Sequence, residues 1–272
     1  MAKTIALVGA NGLVGKSFAN SFLDQGLDLR ILARVESTES AVLKELTSRG
    51  ASVHGISYED ESSLIKALQG VDVLVSTVSV AVLTTQLVLI KAANIAGVKL
   101  FFPSEYGNVY DHPSNEISPY LQLKKTIINS AKELGLPYAV LSTGGFPNLS
   151  FPVDVWGDGN AKLTWTTIPS TANWIANVLK SVSIEQLQNK HLRIQGDSAS
   201  ANEIVKLWEK KHNSKLEVVY HPTTELDERL SADKNDILAI ILREWASGRG
   251  EIGGKDNGPY PSWKPDTVES VL

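Results

Sequence analysis

The sequence contains no cysteine in its 272 residues. Disulfide bonds, a thiolate nucleophile and zinc sites built on cysteine are therefore excluded. No apolar stretch reaches the roughly 18 residues that indicate a membrane-spanning helix. The first residues also lack the charged head and apolar run of a secretory signal. Together these absences predict a cytoplasmic protein that does not bind a membrane.

A surplus of basic residues is also missing, since 26 lysines and arginines face 30 acidic residues and the net charge is −4. Proteins that bind nucleic acid usually carry a basic surplus that neutralises phosphates, so we expect no nucleic-acid partner. The five histidines show no metal-ligand spacing, so no metal is expected. His112, in a predicted loop, is interpreted as a solvated residue rather than a substrate contact.

The first 142 residues alternate between short apolar runs and segments with helical periodicity. The predicted strands cover 4–8, 29–33, 52–56, 71–76, 98–102 and 138–141, and the predicted helices cover 12–25, 40–49, 60–68, 83–96 and 119–134. Asp60 is the expected N-cap of the third helix. Strand–helix units of this length imply parallel strands joined by right-handed crossovers. We therefore predict an α/β protein with a doubly wound (Rossmann) sheet.

The pattern loosens in the second half of the chain. Helices are expected over 171–183, 201–212 and most of 224–245, strands over 191–194 and 216–220, a turn cluster over 156–160 and an irregular tail over 248–265. The predicted domains are a dinucleotide-binding domain over 1–150 and a smaller C-terminal α/β substrate lobe, with the tail, over 151–272.

A glycine-rich loop, G-x-x-G-x-x-G, directly follows the first strand and opens the first helix. Its glycines permit a tight turn, a close approach of the backbone to a pyrophosphate, and close packing of helix against strand. The helix N-terminus then offers unpaired amides to the anion. A tight turn without a ligand is the alternative. The predicted cofactor-binding residues of this loop are Gly9, Asn11, Gly12, Leu13, Val14 and Gly15.

The residue at the end of the second strand indicates which dinucleotide is bound. A carboxylate there would hold the ribose hydroxyl of NAD, but this sequence has Arg34, which favours the additional phosphate of NADP. Lys44 could add a second positive charge near that phosphate. The alternatives are that Arg34, with Glu36 nearby, and Lys44 are ordinary surface charges.

Polar residues at the ends of later strands should line the rest of the cofactor crevice. Thr77 follows the fourth strand, and Ser104 follows the fifth. On the next predicted helix, Tyr120 and Lys124 lie four residues apart and therefore on one face. An ammonium close to a phenol makes it a better acid, so both residues are candidate catalytic groups for a reaction that transfers hydride and a proton.

These motifs, taken in order, resemble the NmrA-like, isoflavone-reductase-like family of atypical short-chain dehydrogenase/reductases, of the fungal type. The segments that carry the resemblance are Gly9-Ala-Asn-Gly-Leu-Val-Gly15, Arg34, Phe101-Phe-Pro-Ser-Glu-Tyr-Gly-Asn108, Lys124 and Thr143-Gly-Gly-Phe146. The resemblance implies NADP as cofactor and Lys124 as the catalytic residue. It also implies that Gly145 and Phe146 lie beside the nicotinamide, that Thr77 and Gln86 line the cleft, and that substrates are aromatic.

Two functions follow from this resemblance. The first is an NADPH-dependent oxidoreductase that reduces a small aromatic or polyketide-like molecule, with Lys124 as proton donor or ribose anchor and Tyr120 as a possible acid. The second is a non-catalytic NAD(P)-binding redox sensor of the NmrA type. A second half shorter than that of the plant reductases favours this alternative, and the presence of Lys124 opposes it. Candidates for an apolar substrate wall are Tyr106, Phe146, Trp156 and Trp165.

Overall fold

A computed structural model gives the fold and describes residues 3–110, 118–147 and 154–272. The chain forms two compact units that interleave along the sequence. The first unit comprises Met1–Glu105, Leu123–Val140 and Ala172–Leu192, and the second comprises Tyr106–Gln122, Leu141–Thr171 and Arg193–Leu272. The functional boundary expected near residue 150 stays a prediction.

A five-stranded sheet with the order β3-β2-β1-β4-β5 forms the centre of the first unit. All of its pairings are parallel. Its strands are β1 (Thr4–Val8), β2 (Asp28–Arg34), β3 (Ser52–Ile56), β4 (Val73–Ser76) and β5 (Leu100–Phe102), and its helices include α1 (Leu13–Asp24), α2 (Ala41–Ser48), α3 (Glu61–Leu68) and α4 (Thr85–Ala96). The predicted doubly wound α/β fold is confirmed.

The order of the strands reverses between β1 and β4, and this reversal determines where a ligand can bind. Connections leave these two neighbouring strands in opposite directions, so a crevice opens at their carboxyl ends. β4 and β5 are buried along their whole length, as expected for central parallel strands covered on both faces.

Local capping explains where the helices of this unit begin. The Asp60 carboxylate accepts hydrogen bonds from the amides of Ser62 and Ser63, which confirms the predicted cap of α3. Ser40 caps α2 in the same way through the amide of Leu43. A short side chain whose oxygen accepts a hydrogen bond from a first-turn amide therefore fixes the start of each of these two helices.

The sixth predicted strand forms but does not join the five-stranded sheet. β6 (Ala139–Ser142) pairs with a later strand, β9 (Lys190–Arg193), and a single bridge joins Phe101 to Tyr138. The apolar sequence of β6 predicted a strand correctly. Its partner was not predictable, because that partner lies about fifty residues further along the chain.

Three further helices lie around these strands: α5 (Pro119–Glu133), α6 (Ile168–Ser181) and α7 (Ile184–Leu187). α5 forms within one residue of its predicted end. Its first residues belong to the second unit, and those from Leu123 onwards belong to the first. α6 begins three residues earlier than predicted.

The second unit contains short strand pairs and four helices near the carboxyl end of the chain. The strands are β7 (Asp154–Trp156), β8 (Lys162–Trp165), β10 (Asp197–Ser200) and β11 (Val219–His221), and the helices are α8 (Ala201–His212), α9 (Thr224–Ala232), α10 (Ile237–Ala246) and α11 (Val268–Val271). β7 and β11 are parallel, whereas β8 and β10 are antiparallel.

The long helix expected over 224–245 is interrupted. α9 ends at Ala232, and Asp236 starts α10 because its carboxylate accepts a hydrogen bond from the amide of Ala239. The same carboxylate pairs with Arg229 on α9 at 2.8 Å. None of the helices in the described ranges has the length and apolar character of a membrane span.

Candidate functional site

The glycine loop lies at the reversal of strand order, between β1 and α1. Gly9 adopts a φ of +90°, which strains any residue with a side chain. The amide of Gly12 donates to the carbonyl of Gly9 at 2.9 Å and closes the turn. A Cβ on Gly15 would lie 2.1 Å from that carbonyl oxygen, so only glycine allows α1 to approach the loop.

Thr77 directly follows β4 and contacts the glycine loop. Its amide and hydroxyl both donate to the carbonyl of Val8, at 2.9 and 2.7 Å. Its hydroxyl oxygen would lie 2.6 Å from a Cβ on Gly15. Thr77 therefore packs against the predicted phosphate site, and its side-chain donor is used by the protein.

The N-terminus of α1 is open to a ligand. Gly12 is the N-cap and has no side chain that could accept from the first-turn amides, and the first turn contains no acidic residue. The depression beside it is lined by Asn11, Gly12, Leu13, Lys16, Ser17 and Asn20. Amides, the helix dipole and a lysine together suit an anion, so these residues fit the diphosphate of a dinucleotide.

Two details orient this loop. Asn11 accepts a hydrogen bond from the hydroxyl of Ser40, the residue that caps α2, at 2.7 Å. Leu13 is 71% exposed, and Val14 follows it in the first turn of α1. The side chain of Asn11 is therefore held by the protein, whereas the start of α1 remains accessible.

Arg34 and Lys44 are both exposed and both paired with nearby carboxylates. Arg34 lies 3.3 Å from Glu36, and Lys44 lies 3.2 Å from Glu39. Exposed pairs of this kind contribute at most about 1 kcal/mol, so either cation can exchange its carboxylate for a phosphate at little energetic cost.

Ser104, in the loop after β5, is linked to Gln86 on α4 and to the loop after β4. Gln86 is buried, and its side-chain oxygen accepts from the amide of Ser104 at 2.9 Å. The Ser104 hydroxyl donates to the carbonyl of Val78 at 2.8 Å. These predicted cofactor residues hold the loops after β4 and β5 together, and direct contact with the cofactor stays a prediction.

Lys124 forms a nearly buried ion pair that the sequence did not predict. Its ammonium lies 2.8 Å from a carboxylate oxygen of Glu105, and the two side chains are 12% and 10% exposed. Nineteen residues separate the partners, so no helical or strand spacing connects them. The available signal was that both residues belong to the segments that carry the family resemblance.

Tyr120 belongs to the second unit, one helical turn before Lys124 along α5. It is partly buried and packs against a cluster of apolar side chains. The buried members of that cluster are Leu121, Leu226, Leu230, Ala239 and Ile240. The aromatic ring of Tyr120 therefore contributes to packing, and its role as an acid stays a prediction.

A cavity of about 540 Å³ lies within the second unit. Among the described residues, six aromatic side chains line it: Tyr106, Tyr110, Phe146, Trp156, Trp165 and Trp245. All four members of the predicted apolar wall are among them. Sequence reasoning missed Tyr110 and Trp245, because nothing local distinguishes an aromatic residue of a cavity wall from one of the core.

Two consecutive glycines shape this cavity. A Cβ on Gly144, which has a φ of +72°, would lie 2.1 Å from the carbonyl oxygen of Thr164. A Cβ on Gly145 would lie 2.7 Å from the ring of Trp165 and 3.1 Å from that of Trp245. Gly145 thus lets two indole rings, 5.3 Å apart, meet at the wall. Whether Gly145 and Phe146 also contact the nicotinamide stays a prediction.

His221 contacts two residues that line the cavity, Trp156 and Asp154. The imidazole of His221 stacks on Trp156, with ring centroids 4.7 Å apart. Its two nitrogens lie 2.9 Å from Asp154 and 3.1 Å from Glu225. The hydrogen bond to Asp154 raises the pKa of His221, and the charge of Glu225 adds to that effect.

His112 lies outside the described residues. Across the described ranges, no group of three or more histidine, aspartate, glutamate or cysteine side chains is arranged to hold a metal ion.

The parallel sheet and the glycine loop at its reversal of strand order are features of doubly wound α/β proteins. The NmrA-like family matches residues 1–248, and the chain belongs to that family. It is 32% identical to phenylcoumaran benzylic ether reductase PT1 of Pinus taeda and 33% identical to the IRL1 protein of Ginkgo biloba. Each alignment covers 98% of this chain and 97% of the relative.

The fold is shared with solved structures. The structure of AtPrR2 with NADP+ and (+)pinoresinol superposes with a TM-score of 0.86, covering 100% of this chain and 98% of that one at 23% identity. A crystal structure of an isoflavone reductase gives 0.84, with 100% and 99% coverage at 22% identity. At these identities the likeness establishes the fold, and the family membership rests on the sequence.

Proposed function

We propose that this chain is an NADPH-dependent reductase of a small aromatic molecule. Its curated relatives in the same family are named as reductases of phenylcoumaran benzylic ethers, over nearly their whole length. The two structural requirements of such an enzyme, a dinucleotide loop and an aromatic cavity, are both features of the chain. The predicted cytoplasmic location goes with this proposal and is untested.

The cofactor side of the proposal rests on the loop between β1 and α1. The turn closed by Gly9 and Gly12, and the close packing that Gly15 allows, bring the amides at the start of α1 to the diphosphate. Arg34, supported by Lys44, takes the additional phosphate of NADP. When bound, NADPH supplies the hydride. Thr77, Gln86 and Ser104 complete the set of cofactor residues that we propose in the first unit.

The buried pair of Lys124 and Glu105 is the observation that carries the catalytic part. Burying two charges costs desolvation energy, and an apolar pair of the same volume would often stabilise a fold equally well. This nearly buried ammonium therefore supports a role for Lys124 in the reaction and not only in the stability of the fold. Lys124 donates a proton to the substrate or holds the nicotinamide ribose, and Glu105 fixes the position of its Nζ.

The aromatic cavity is the proposed substrate site. Cavities that bind small molecules usually have volumes of roughly 300–1,000 Å³ and are mostly apolar, and the value here, about 540 Å³, falls in that range. Six aromatic rings supply flat surfaces that suit another aromatic ring. The cavity wall therefore favours an aromatic group as its ligand.

A single-turnover assay tests the proposal. NADPH oxidation is followed with pinoresinol, an isoflavone and a phenylcoumaran, and wild-type protein is expected to oxidise NADPH with at least one of them. Lys124→Met should slow this step by about 10²–10⁴-fold, the usual contribution of a general acid or base. NADPH affinity, measured by calorimetry, should change far less if Lys124 is the proton donor, and should fall with the rate if it anchors the ribose.

Two control variants accompany this substitution. Lys125→Met removes the neighbouring lysine, which points about 100° away around α5, and should retain the wild-type rate. The double variant Lys124→Met/Glu105→Gln removes the unpaired carboxylate, so it separates lost chemistry from lost stability. Full activity of Lys124→Met would reject the proposed chemistry. Equal affinity for NADPH and NADP+ without turnover of any substrate would favour the sensor instead.

A further inference from the structure

His221 joins a strand and a helix of the second unit, beside residues that line the aromatic cavity. It is the last residue of β11, and its imidazole lies 2.9 Å from the carboxylate of Asp154 on β7. The other ring nitrogen lies 3.1 Å from the carboxylate of Glu225, in the first turn of α9. The side chain of His221 is 26% exposed, so it can exchange its proton with water.

The same imidazole is stacked on a ring of the cavity wall. Trp156 lines the cavity, and the plane of its indole is inclined by 18° to that of His221, with the ring centroids 4.7 Å apart. Trp156 also packs against the apolar cluster that contains Leu226 of α9. A change in the contacts of His221 therefore acts directly on a residue of the wall.

The protonation state of His221 determines how many of these contacts it can make. An imidazolium donates from both ring nitrogens, so it can satisfy Asp154 and Glu225 at the same time. A charged ring stacked on the indole of Trp156 also gains a cation–π attraction. A neutral imidazole has a single N–H, so one of the two carboxylates then faces a nitrogen that can only accept. Deprotonation therefore removes one hydrogen bond and the cation–π attraction.

The charged groups around His221 determine the pH at which this change occurs. The hydrogen bond to Asp154 raises the pKa of His221 above its ordinary value of 6.5, desolvation opposes this effect, and the charge of Glu225 adds to it. On α10, which packs against β7 and α9, Arg243 lies 3.8 Å from Asp227. The contacts of the protonated ring are therefore complete below about pH 6.5 and are lost as the pH rises through the raised pKa.

We propose that His221 is a positioning residue for the ligand of the aromatic cavity: in its protonated form it holds Trp156 at the wall, and the cavity then binds its ligand more tightly. This inference rests on the proposed function only in placing an aromatic ligand in the cavity, and it involves no hydride transfer. Because linkage is reciprocal, a bound ligand also increases the affinity of His221 for its proton by the same factor.

Binding of a probe that does not titrate tests this inference on the full chain without NADPH. The probe is 3-phenoxybenzyl alcohol, a neutral molecule with two aromatic rings, and its affinity is measured by calorimetry and by quenching of tryptophan fluorescence. Wild type is expected to bind it about three- to tenfold more tightly at pH 6 than at pH 9, because a charge-assisted hydrogen bond and a cation–π contact are lost between them. In an NMR titration, saturation with the probe should raise the pKa of His221.

Two variants separate protonation from packing. His221→Gln cannot be protonated, so it should bind the probe equally at both pH values, with an affinity near that of wild type at pH 9. Glu225→Gln keeps the imidazole but removes one negative charge, so the loss of affinity should occur at a lower pH. The control His212→Gln removes a histidine that stacks on Trp208, with centroids 4.6 Å apart, and neither of these residues lines the cavity. This control should keep the wild-type pH profile.

Each contrary result overturns the inference. An affinity of wild type that does not change with pH, or a wild-type pH profile in His221→Gln, removes the role of His221. An unchanged midpoint in Glu225→Gln contradicts the bridge between two carboxylates, and a pKa of His221 that the probe leaves unchanged contradicts the linkage. No saturable binding at pH 6 means that the protonated wall is not a binding state. The proposed function fails separately, through the absence of NADPH oxidation in the single-turnover assay.

Discussion

Separate alanine substitutions of Gly15 and Gly12 distinguish the two roles assigned to the glycine loop, packing of the fold and binding of the cofactor. A Cβ on Gly15 would lie 2.1 Å from the Gly9 carbonyl oxygen and 2.6 Å from the Thr77 hydroxyl oxygen. A Cβ on Gly12 meets only the Gly9 oxygen, at 3.3 Å. Gly15→Ala should therefore affect stability, and Gly12→Ala should affect the ligand.

The magnitudes follow from these contacts. An ordinary contact begins near 3.4 Å, so Gly15→Ala has to displace α1 or the loop by more than 1 Å. Overpacking of this kind costs about 1–3 kcal/mol, and alanine's better helix propensity returns up to about 1 kcal/mol. Because the contact is with a backbone oxygen at 2.1 Å, the cost lies at the upper end of this range, and a net loss of about 2–3 kcal/mol at about 2–4 °C per kcal/mol should lower the unfolding temperature by roughly 4–12 °C.

Gly12→Ala should leave the unfolding temperature within about 2 °C of wild type, because its φ of −81° is allowed for alanine and protein contacts are loose. Its methyl group would lie where the diphosphate approaches the amides. We expect NADPH to bind at least tenfold more weakly, a loss of about 1.4 kcal/mol.

Differential scanning fluorimetry measures the first quantity and isothermal titration calorimetry the second, on all three proteins. An unchanged dissociation constant for NADPH in Gly12→Ala would refute the assignment of this loop to the diphosphate. An unchanged unfolding temperature in Gly15→Ala would refute the packing argument, and with it the reason for a glycine at that position.

Three further predictions concern charges. Arg34→Ala should reduce the preference for NADPH over NADH by about tenfold or more, measured as a ratio of dissociation constants, because a charge-assisted contact to the phosphate is lost. Arg249→Ala should lower the free energy of unfolding by about 3–5 kcal/mol in urea, since it leaves the fully buried Glu244 carboxylate without its bidentate partner. His221 has a pKa raised by Asp154, so its stabilising effect is complete below about pH 6.5 and is lost as the pH rises through the folded-state pKa; His221→Gln should remove that part of the pH dependence of unfolding.

Each of these has a clear contrary result. An unchanged nucleotide preference in Arg34→Ala would mean that Arg34 is an ordinary surface charge paired with Glu36. A loss of less than 1 kcal/mol in Arg249→Ala would mean that water or another donor satisfies the Glu244 carboxylate once the guanidinium is removed. A pH profile of unfolding that His221→Gln does not alter would remove the argument from its contacts with Asp154.

Local sequence patterns predicted the elements well where those patterns are sufficient. The strand Thr4–Val8 and the helix Ala201–His212 form with the predicted bounds, because an apolar run after a turn, or a capped amphipathic segment, is defined by neighbours in the chain. The short strands β7, β8 and β10 were missed. Each has three or four residues, too few to establish a periodicity, and each depends on a partner strand.

The candidate site divides in the same way. The glycine loop was predictable, because a turn, a helix start and an anion site all arise within seven consecutive residues. The ion pair of Lys124 and Glu105 was not predictable, because it joins α5 to the segment after β5, and only the fold brings these together. Asn108 belongs to a motif that the sequence shows, but whether its side chain has a hydrogen-bond partner depends on the atoms that the fold places around it.

By itself, the sequence determined the class of fold, the family and the position of the glycine loop, because each depends on residues close together in the chain. The tertiary structure decided which charges are buried, which aromatic rings enclose a cavity and which polar atoms are left without a protein partner. Burial and pairing are properties of neighbours in space, and the chain's order does not specify those neighbours until the sheet and its helices have packed.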